Sequence, residues 1–257
     1  FLTQAKIEPG NIGGIQLSPT LQATKSNCLR LHRGKKPLYL EYFQNATKEN
    51  IITDNLQSEI GCRFIKKRNR NIIINVKEEI PIKDGFKWMT LKDLKKLMSF
   101  DNLVNMDTRS VLSNIRFDKK LIDERLSNQY SEENSYIRDS LFGLGKAINS
   151  IDQILNFITY LRFKYSLSIE KIRLDEMREW ELSKKEIKRI DNKYFKVIGI
   201  EASIDNREKL SWQQPMIESI NKGLFSLIGK KINNIFHIIV QAKLECGNRD
   251  IVELAPS

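Results

Sequence analysis

A stretch near the start of this chain returns at its end. Residues 3–20 and 240–257 align without gaps at an offset of 237, and eight of the eighteen positions are identical. Both copies contain a Gln-Ala-Lys-x-Glu-x-Gly-Asn run, at 4–11 and at 241–248. Such self-similarity is the usual sign of a duplicated supersecondary unit. We therefore expect a fold built from parts of two related modules.

The first copy predicts two strands joined by a turn. Apolar and polar residues alternate over 2–8, which is typical of a half-buried strand, and Pro-Gly-Asn at 9–11 is a turn signal ahead of a second strand. Gln4, Lys6 and Glu8 then share one face of the first strand. That face is either a solvated edge or the wall of a polar pocket. The same three residue types return in the second copy, which favours the pocket wall.

The rest of the chain predicts both helices and strands. Thr90 is a typical N-cap ahead of leucines at helical spacing. Apolar residues keep that spacing over 150–165, which predicts a helix whose apolar stripe forms core, and we expect the helical pattern to continue over 168–188. Runs rich in β-branched residues at 72–76 and 195–202 predict strands. The chain is therefore predicted to be α+β, with mixed sheets and flanking helices.

A polar segment divides the chain. Residues 117–147 are charged and weakly periodic, which is typical of a linker. We predict that residues 1–116 are the C-terminal part of a first repeat module. Residues 148–257 would then be a helical segment followed by the N-terminal part of a second module. The chain begins without Met inside one copy of the repeat and stops inside the other, so we expect a fragment of a longer duplicated protein.

The charge balance limits the classes of partner. The chain has 43 Lys and Arg against 32 Asp and Glu, and the difference of +11 favours anionic partners such as nucleic acid, nucleotides or an acidic membrane surface. It has no apolar run of about 18 residues that would span a membrane, and its N-terminus lacks a signal-peptide pattern. We therefore expect a cytoplasmic protein without a membrane partner.

The thiols and imidazoles do not predict a metal site. Cys28, Cys62 and Cys246 are scattered along the chain, and the two histidines form no cluster with them. A zinc site or a disulfide framework has closer and more regular spacing. We expect neither, and a reducing compartment fits three scattered thiols.

A basic run has two interpretations. Residues 66–70 read Lys-Lys-Arg-Asn-Arg just before a predicted strand. Such a run is often a solvated surface or a nucleic-acid patch. Arg63, Arg68 and Arg70 are equally suited to bind a pyrophosphate, because a guanidinium group matches phosphate oxygens in a bidentate way. The residues alone leave both interpretations open.

Several motifs together resemble the NDP-hexose 2,3-dehydratases of deoxysugar biosynthesis. These motifs are QAKIEPGN at 4–11, QLSPTLQATKSN at 16–27, QSEIGCRFIKKRNRN at 57–71, NMDTR at 105–109, WQQP at 212–215, QAKLECGN at 241–248 and ELAPS at 253–257. The likeness covers most of the chain apart from about 117–147. It implies two Nudix-like repeats, which agrees with the duplication, and it implies a homodimer.

The chain also departs from what the resemblance brings. Cys246 stands where the first copy has Pro9, and Asp-Ile at 250–251 replaces Gly-Gly at 13–14, so the second turn is expected to differ. The clustered glutamates with which Nudix hydrolases hold Mg²⁺ for pyrophosphate cleavage are not found. Without that metal clamp, the scaffold is expected to bind a diphosphate and leave it intact.

The resemblance implies a hydro-lyase acting on a nucleotide-linked 4-keto-6-deoxyhexose such as the TDP sugar. The C4 ketone acidifies the hydrogen on C3, and the resulting enolate expels the 2-hydroxyl. This chemistry needs a base for C3–H, a donor for the enolate oxygen and an acid for the departing hydroxyl. It needs no redox cofactor, and no cofactor is expected.

Candidate bases follow from the sequence pattern, because Glu8 lies on the polar-faced strand and Glu59 precedes the basic run; the candidate ligands of the substrate follow from the resemblance. Glu59 or Glu8 is the expected base, with His32 as the next candidate and as a candidate acid. A base desolvated in a pocket would have a raised pKa. The expected diphosphate ligands are Arg63, Arg68, Arg70 and Arg109. Further expected substrate-binding residues are Gln4, Lys6, Asn11, Gln16, Thr20, Gln22, Thr24, Asn27, Gln57, Ser58, Asn69, Asn105, Asp107, Trp212 and Gln214.

Purely structural roles for some of these residues, and other functions for the whole protein, also stay open. Thr24 and Asn27 are also suited to capping a turn, and Trp212 is either a stacking partner for the base or simply buried. The protein as a whole is alternatively a basic nucleic-acid-binding module or an inactive remnant of the dehydratase. Against nucleic acid, the basic residues are spread along the chain and aromatic residues do not interleave with them. The sequence does not decide which repeat holds the site, or which nucleotide and sugar are recognised.

Overall fold

A computed structural model describes residues 1–31, 33–117, 135–205 and 207–256. Its strands are Leu2–Ile7 (β1), Ile15–Pro19 (β2), Ile51–Ser58 (β3), Arg68–Ile74 (β4), Phe86–Trp88 (β5), Trp180–Leu182 (β6), Glu186–Arg189 (β7), Phe195–Ser203 (β8), Ser211–Ser219 (β9), Gly229–Ile232 (β10), Ile235–Ile238 (β11), Val240–Leu244 (β12) and Val252–Pro256 (β13). Its helices are Lys25–Cys28 (α1), Leu40–Gln44 (α2), Leu91–Leu97 (α3), Met106–Ser113 (α4), Ser135–Leu141 (α5) and Ile151–Lys164 (α6). The antiparallel sheets and separate helices confirm the predicted α+β class.

The chain forms two compact units that alternate along the sequence. The first unit comprises residues 1–55, 70–115 and 172–221, and the second comprises residues 56–69, 116–171 and 222–257. These units are spatial clusters, whereas the predicted modules follow the repeat. The division at 117–147 and the Nudix-like nature of the modules therefore stay predictions.

The first unit is centred on the sheet β2-β1-β5. Its core joins Leu2 of β1 and Phe86 of β5 to Tyr39, and all three are at most 8% exposed. The Tyr39 and Phe86 rings meet edge to face with their centroids 4.8 Å apart, which is a favoured aromatic geometry. The buried Tyr39 hydroxyl donates to the Pro81 carbonyl at 2.9 Å and accepts from the Lys83 amide at 2.8 Å. This packing fixes one end of β1, the strand that carries the candidate site.

The first unit also contains a four-stranded antiparallel sheet, β6-β7-β8-β9. β8 and β9 pair along their whole lengths, from Phe195 with Ser219 to Ser203 with Ser211. The loop at the tip of this hairpin follows Ser203 and precedes Ser211. Its Glu208 carbonyl accepts a hydrogen bond from the Lys35 amide at 2.9 Å, so the loop is tied to another segment of the same unit.

The second unit contains the second copy of the repeat. β12 and β13 pair Gln241 with Ala255 and Leu244 with Val252. The pairs in the first copy are Gln4 with Ser18 and Ile7 with Ile15, which is the same register at the offset of 237. The turns also share a hydrogen bond, from Asn11 N to Glu8 O at 2.9 Å and from Asn248 N to Glu245 O at 3.1 Å. The predicted repeat is thus a repeated β-hairpin.

Three local predictions are confirmed. Thr90 caps α3, and its hydroxyl accepts from the Asp93 amide at 3.1 Å. The helix predicted over 150–165 is α6, which begins after the N-cap Ser150. The strands predicted at 72–76 and 195–202 lie largely in β4 and β8.

Two other local predictions are wrong. Residues 168–188 do not continue the helix: after a short 3-10 turn at Leu174–Glu176, the chain forms β6 and β7. A turn closed by Ser183 joins these strands, and Lys188 forms a cross-strand ion pair with Glu181 at 3.2 Å, so pairing outweighs helical propensity. The stripe of α6 is not core either, because no residue of this helix is buried within the described structure.

The turn of the second hairpin packs closely against the loop after β3. Gly247 donates from its amide to the Gly61 carbonyl and accepts at its own carbonyl from the Lys66 amide, both at 2.7 Å. A Cβ atom at position 247 would overlap the carbonyl oxygens of Gly61 and Phe64. Both oxygens belong to backbone, so relief requires the loop itself to shift.

We therefore expect Gly247→Ala to lower the free energy of unfolding by about 1–3 kcal/mol, as overpacking does at other close contacts. Gly199→Ala is the matched control, because a Cβ there meets nothing within 4 Å. Urea denaturation of both variants measures the difference. Equal stability of the two variants would contradict the close packing of this turn.

Candidate active site

The polar face of β1 is not a solvated edge. Lys6 is only 3% exposed, although it lies on the polar face of the strand. The register places Gln16 opposite Lys6, and Ser18, which is 0% exposed, opposite Gln4. Directly opposed residues point from the same face of a hairpin. The hairpin therefore presents a buried, polar surface around one ammonium group.

Lys6 is held by two acceptors. Its Nζ lies 3.3 Å from Glu8 Oε1 and donates to the Gln22 backbone carbonyl at 3.4 Å. Burial lowers the pKa of the Lys6 ammonium, the Glu8 carboxylate opposes this shift, and the Arg207 charge adds to it. The ion pair thus offsets part of the cost of removing a charge from water.

Glu8 receives its contacts on one oxygen. Oε1 accepts from Gln22 Nε2 at 3.3 Å, lies near Lys6 Nζ and is 3.9 Å from Arg207 Nη1. The other oxygen, Oε2, accepts no hydrogen bond from the described residues. The carboxylate is therefore positioned through Oε1, while Oε2 stays available to another group.

The same network reaches α4. Asn105 caps this helix by accepting from the Thr108 amide at 2.9 Å. The Asn105 Nδ2 group donates to Ser18 Oγ at 3.0 Å and to Gln22 Oε1 at 3.4 Å. The β2 backbone is tied to the same region, because Leu17 accepts from the Asn105 amide at 3.0 Å. One asparagine therefore joins the helix start to the polar face of the hairpin.

Arg207 lies beside Glu8 and over an aromatic ring. Its guanidinium carbon is 5.2 Å from the centre of the Trp212 ring, a cation–π distance. Trp212 Nε1 in turn donates to Gln214 Oε1 at 2.7 Å, which orients the indole. The Arg207 side chain is 19% exposed. The β8–β9 hairpin thus brings a cation to the edge of the Lys6–Glu8 pair.

A cavity of about 290 Å³ lies in the first unit next to this network. Its lining residues are Gln4, Thr20, Leu21, Gln22, Lys35, Lys36, Pro37, Leu38, Phe86, Asp205, Arg207 and Glu208. Two of them, Gln22 and Arg207, also contact Glu8. The cavity therefore combines apolar side chains with groups suited to hydroxyls and phosphates.

Glu59, the other candidate base, lies in the second unit. Its carboxylate accepts from Asn69 Nδ2 at 2.8 Å, Lys67 Nζ at 3.1 Å and the Ile60 amide at 3.3 Å. Burial alone would raise the pKa of Glu59, but the hydrogen bonds from Asn69 and Lys67 and the Lys67 charge hold it below its ordinary value. The rise in pKa that we expect in a base is thus absent at Glu59.

The second copy of the Lys–Glu pair has a different environment. Lys243 Nζ and Glu245 Oε1 are 2.7 Å apart, yet the Lys243 side chain is 50% exposed, against 4% for Lys6. An exposed ion pair of this kind is screened by water and contributes little. The duplication therefore preserves the pair and the hairpin but not the burial.

Two of the predicted diphosphate ligands have their donors engaged. Arg70 forms a two-pronged ion pair with Asp54, from Nε to Oδ1 at 2.7 Å and from Nη2 to Oδ2 at 2.5 Å. Arg109 donates to the Val104 carbonyl at 3.1 Å and to the Met98 carbonyl at 2.8 Å, so it braces the loop before α4. Both side chains lie in the first unit without lining its cavity.

The other predicted residues are distributed over both units. Thr24 and Asn27 cap α1, which is the structural role considered for them as an alternative to substrate binding. Asn11 Nδ2 donates to the Lys6 carbonyl at 3.4 Å, and the Thr20 hydroxyl donates to the Leu2 carbonyl. Asp107 lies in the first turn of α4. The predicted residues in the second unit are Gln57, Ser58, Glu59, Arg63, Arg68 and Asn69. His32 lies outside the described residues.

The structure also shows site residues that the sequence analysis missed. Ser18 is buried and faces Asn105, and its place opposite Gln4 in the hairpin would have identified it. Arg207 had no such signal, because a loop far along the chain brings it to the site. Among the described residues, no group of three or more His, Cys, Asp or Glu side chains is placed to hold a metal. No helix in the described ranges is long and apolar enough to cross a membrane.

Comparison with known proteins identifies a family. Residues 1–115 and 151–257 match the family described as NDP-hexose 2,3-dehydratase. The chain is 39% identical over 256 residues to a dTDP-4-dehydro-6-deoxy-alpha-D-glucopyranose 2,3-dehydratase of Saccharopolyspora spinosa, covering 100% of this chain and 52% of the relative. Proteins of the same name from Amycolatopsis orientalis and Streptomyces violaceoruber are 37% and 35% identical over the whole chain, with 50% and 55% of their lengths covered. The chain thus spans about half the length of these curated relatives.

The burial of Lys6 predicts a distinctive pH dependence. Because the pKa of Lys6 is lower in the folded protein than in the unfolded chain, the unfolded state binds more protons between the two values. The free energy of unfolding that Lys6 contributes must therefore rise with pH through that window and be lowest below it.

Urea denaturation over a series of pH values up to about pH 10.5, the ordinary pKa of lysine, should show this rise as the difference between the wild type and Lys6→Met. Lys87→Met, at an exposed position on the neighbouring strand β5, serves as the control. A difference between wild type and Lys6→Met that stays constant over this range would contradict the burial of a charged Lys6.

Proposed function

This chain belongs to the NDP-hexose 2,3-dehydratase family, and on that premise we propose that its first unit provides the catalytic site of such a dehydratase. The proposed substrate is a nucleotide-linked 4-keto-6-deoxyhexose, and the reaction removes water across C2 and C3. The observation that supports it is the ion pair between buried Lys6 and half-buried Glu8, beside a cavity of about 290 Å³. The activity for which the three relatives are named favours this function over the nucleic-acid-binding alternative.

Glu8 is the proposed base. Its Oε1 atom is fixed by Gln22 and by two cations, while Oε2 carries no hydrogen bond from the described residues. Oε2 takes the proton from C3, and the electrons of that C–H bond form the enolate of the C4 ketone. Positioning a base in this way contributes about 10²–10⁴-fold to a proton transfer.

Lys6 is the proposed donor for the enolate. Its ammonium is buried, so a negative charge that develops nearby is poorly screened by water and strongly stabilised. In the ground state, the same ammonium is held by Glu8 and by the Gln22 carbonyl. Once Glu8 becomes protonated, the attraction between Lys6 and Glu8 weakens and the ammonium can turn to the enolate oxygen.

Loss of the hydroxyl completes the reaction. The enolate electrons reform the C4 carbonyl and place a double bond between C2 and C3, which expels the 2-hydroxyl. Protonated Glu8 returns its proton to that oxygen, and water leaves; His32 is the alternative acid. The remaining enol at C3 tautomerises to a 3,4-diketo sugar. No electrons enter or leave overall, so the reaction requires no redox cofactor.

Glu59 is the weaker candidate for the base. Its hydrogen bonds occupy both oxygens, because the Ile60 amide binds Oε1 and the other two donors bind Oε2. These contacts suit a structural role at the base of the loop after β3.

Two further expectations are part of this proposal. The family resemblance implies a homodimer, which light scattering of the purified chain measures directly. A cytoplasmic location is expected for an enzyme of deoxysugar biosynthesis. Both are independent of the assignment of Glu8.

The central experiment is exchange of the C3 hydrogen of the TDP-4-keto-6-deoxyhexose for deuterium. We expect Glu8→Gln to reduce the exchange rate by about 10²–10⁴-fold, because the amide cannot accept the proton. Glu245→Gln is the matched control, since Glu245 occupies the same position in the second hairpin. Its exchange rate should equal that of the wild type.

Mass spectrometry or NMR of the recovered sugar measures this exchange. Full exchange in Glu8→Gln together with its loss in Glu59→Gln would transfer the base to the second unit. Absence of exchange in the wild-type chain would contradict the proposed function itself.

A further inference from the structure

The guanidinium group of Arg207 has unused donors. Its recorded polar contact is the 3.9 Å approach to Glu8 Oε1, which is too long for a hydrogen bond. Within the described residues, its N–H groups make no hydrogen bond. The group is nevertheless 19% exposed and held against Trp212. An arginine that is largely buried, held in place and unbonded is suited to a ligand with several acceptor oxygens.

Arg70 and Arg109, the two predicted diphosphate ligands in the first unit, already use donors in other contacts. The donors of Arg70 meet Asp54, and those of Arg109 meet two backbone carbonyls. Neither side chain lines the cavity, whereas Arg207 does. Of Arg70, Arg109 and Arg207, it is Arg207 that lines the cavity and has N–H groups without a hydrogen bond to the described residues.

With Arg207 included, the charged side chains that line the cavity are three cations and two carboxylates. Lys35 and Lys36 line the same cavity, opposed by Asp205 and Glu208. Lys36 approaches Glu41 at 3.7 Å, while the Lys35 backbone amide ties its loop to Glu208. The carboxylates suit sugar hydroxyls, and the cations suit phosphoryl oxygens.

We propose that Arg207 binds the diphosphate of the nucleotide-linked sugar, with Lys35 as the second cation at this subsite. This proposal rests on the proposed function. It assigns diphosphate binding to an arginine that was not among the four predicted from the sequence. The planar guanidinium matches two phosphoryl oxygens at once, and the cation–π contact with Trp212 at 5.2 Å positions the group before the ligand arrives.

In this proposal, Trp212 supports Arg207 and does not stack on the nucleobase with that face of its ring. Its ring supports Arg207 and is fixed through Nε1 by Gln214, so the ring face toward Arg207 is not available to a nucleobase. The diphosphate would be placed beside the Lys6–Glu8 pair, because Arg207 lies 3.9 Å from Glu8. One residue then links the position of the diphosphate to the position of the base.

Calorimetric titration with TDP and with thymidine tests this assignment. We expect Arg207→Gln to weaken TDP binding by at least about ten-fold, the loss of a charge-assisted bidentate contact. Thymidine, which lacks phosphate, should bind both proteins equally. Arg207→Lys should recover only part of the affinity for TDP, because an ammonium lacks the planar fork.

Arg173→Gln is the control for loss of one positive charge, since Arg173 is 73% exposed and pairs with Asp175. It should bind TDP as the wild type does. Wild-type TDP affinity in Arg207→Gln would overturn the inference, as would equal loss of TDP and thymidine binding in that variant. Neither result depends on turnover: a chain that binds TDP through Arg207 without exchanging the C3 hydrogen would sustain the inference and contradict the proposed function.

Discussion

The burial of a charged lysine in a β-hairpin is the constraint on which the candidate site depends. An ammonium that is 3% exposed needs nearby acceptors, and Glu8 and the Gln22 carbonyl supply them. Gln22 must then be held in turn, which Asn105 does while it caps α4. The need to bind the Lys6 ammonium thus connects the β1–β2 hairpin, the loop that contains Gln22 and the start of α4 through one hydrogen-bond network.

Duplication of the hairpin shows how much of this depends on environment. Both copies share the register, the turn hydrogen bond and the Lys–Glu pair. In the second copy, the pair is exposed to water and the turn packs on the loop at Gly61 instead. Water screens the pair at Lys243, whereas burial strengthens the field at Lys6. Similar sequences therefore form the same local structure, but the electrostatic environment of the Lys–Glu pair differs between the two copies.

The sequence predicted the parts of the site that depend on local pattern. Period-two alternation identified Gln4, Lys6 and Glu8 as one face, and the repeat supported a role for it. Contacts between distant segments were beyond such patterns, so Arg207 was missed and the engagement of Arg70 by Asp54 was not foreseen. Helical spacing misled over 168–188, where cross-strand pairing prevailed. Residue type suggested the diphosphate ligands, but only the fold shows which guanidinium groups still have free donors.

A crystal structure with bound TDP would show directly which of the two units binds the nucleotide. We expect TDP in the cavity of the first unit, with its diphosphate on Arg207 and its terminal phosphate directed to the Lys6–Glu8 pair. TDP bound instead by the second unit, at Glu59 or at the Lys243–Glu245 pair, with the cavity of the first unit free of nucleotide, would contradict this expectation.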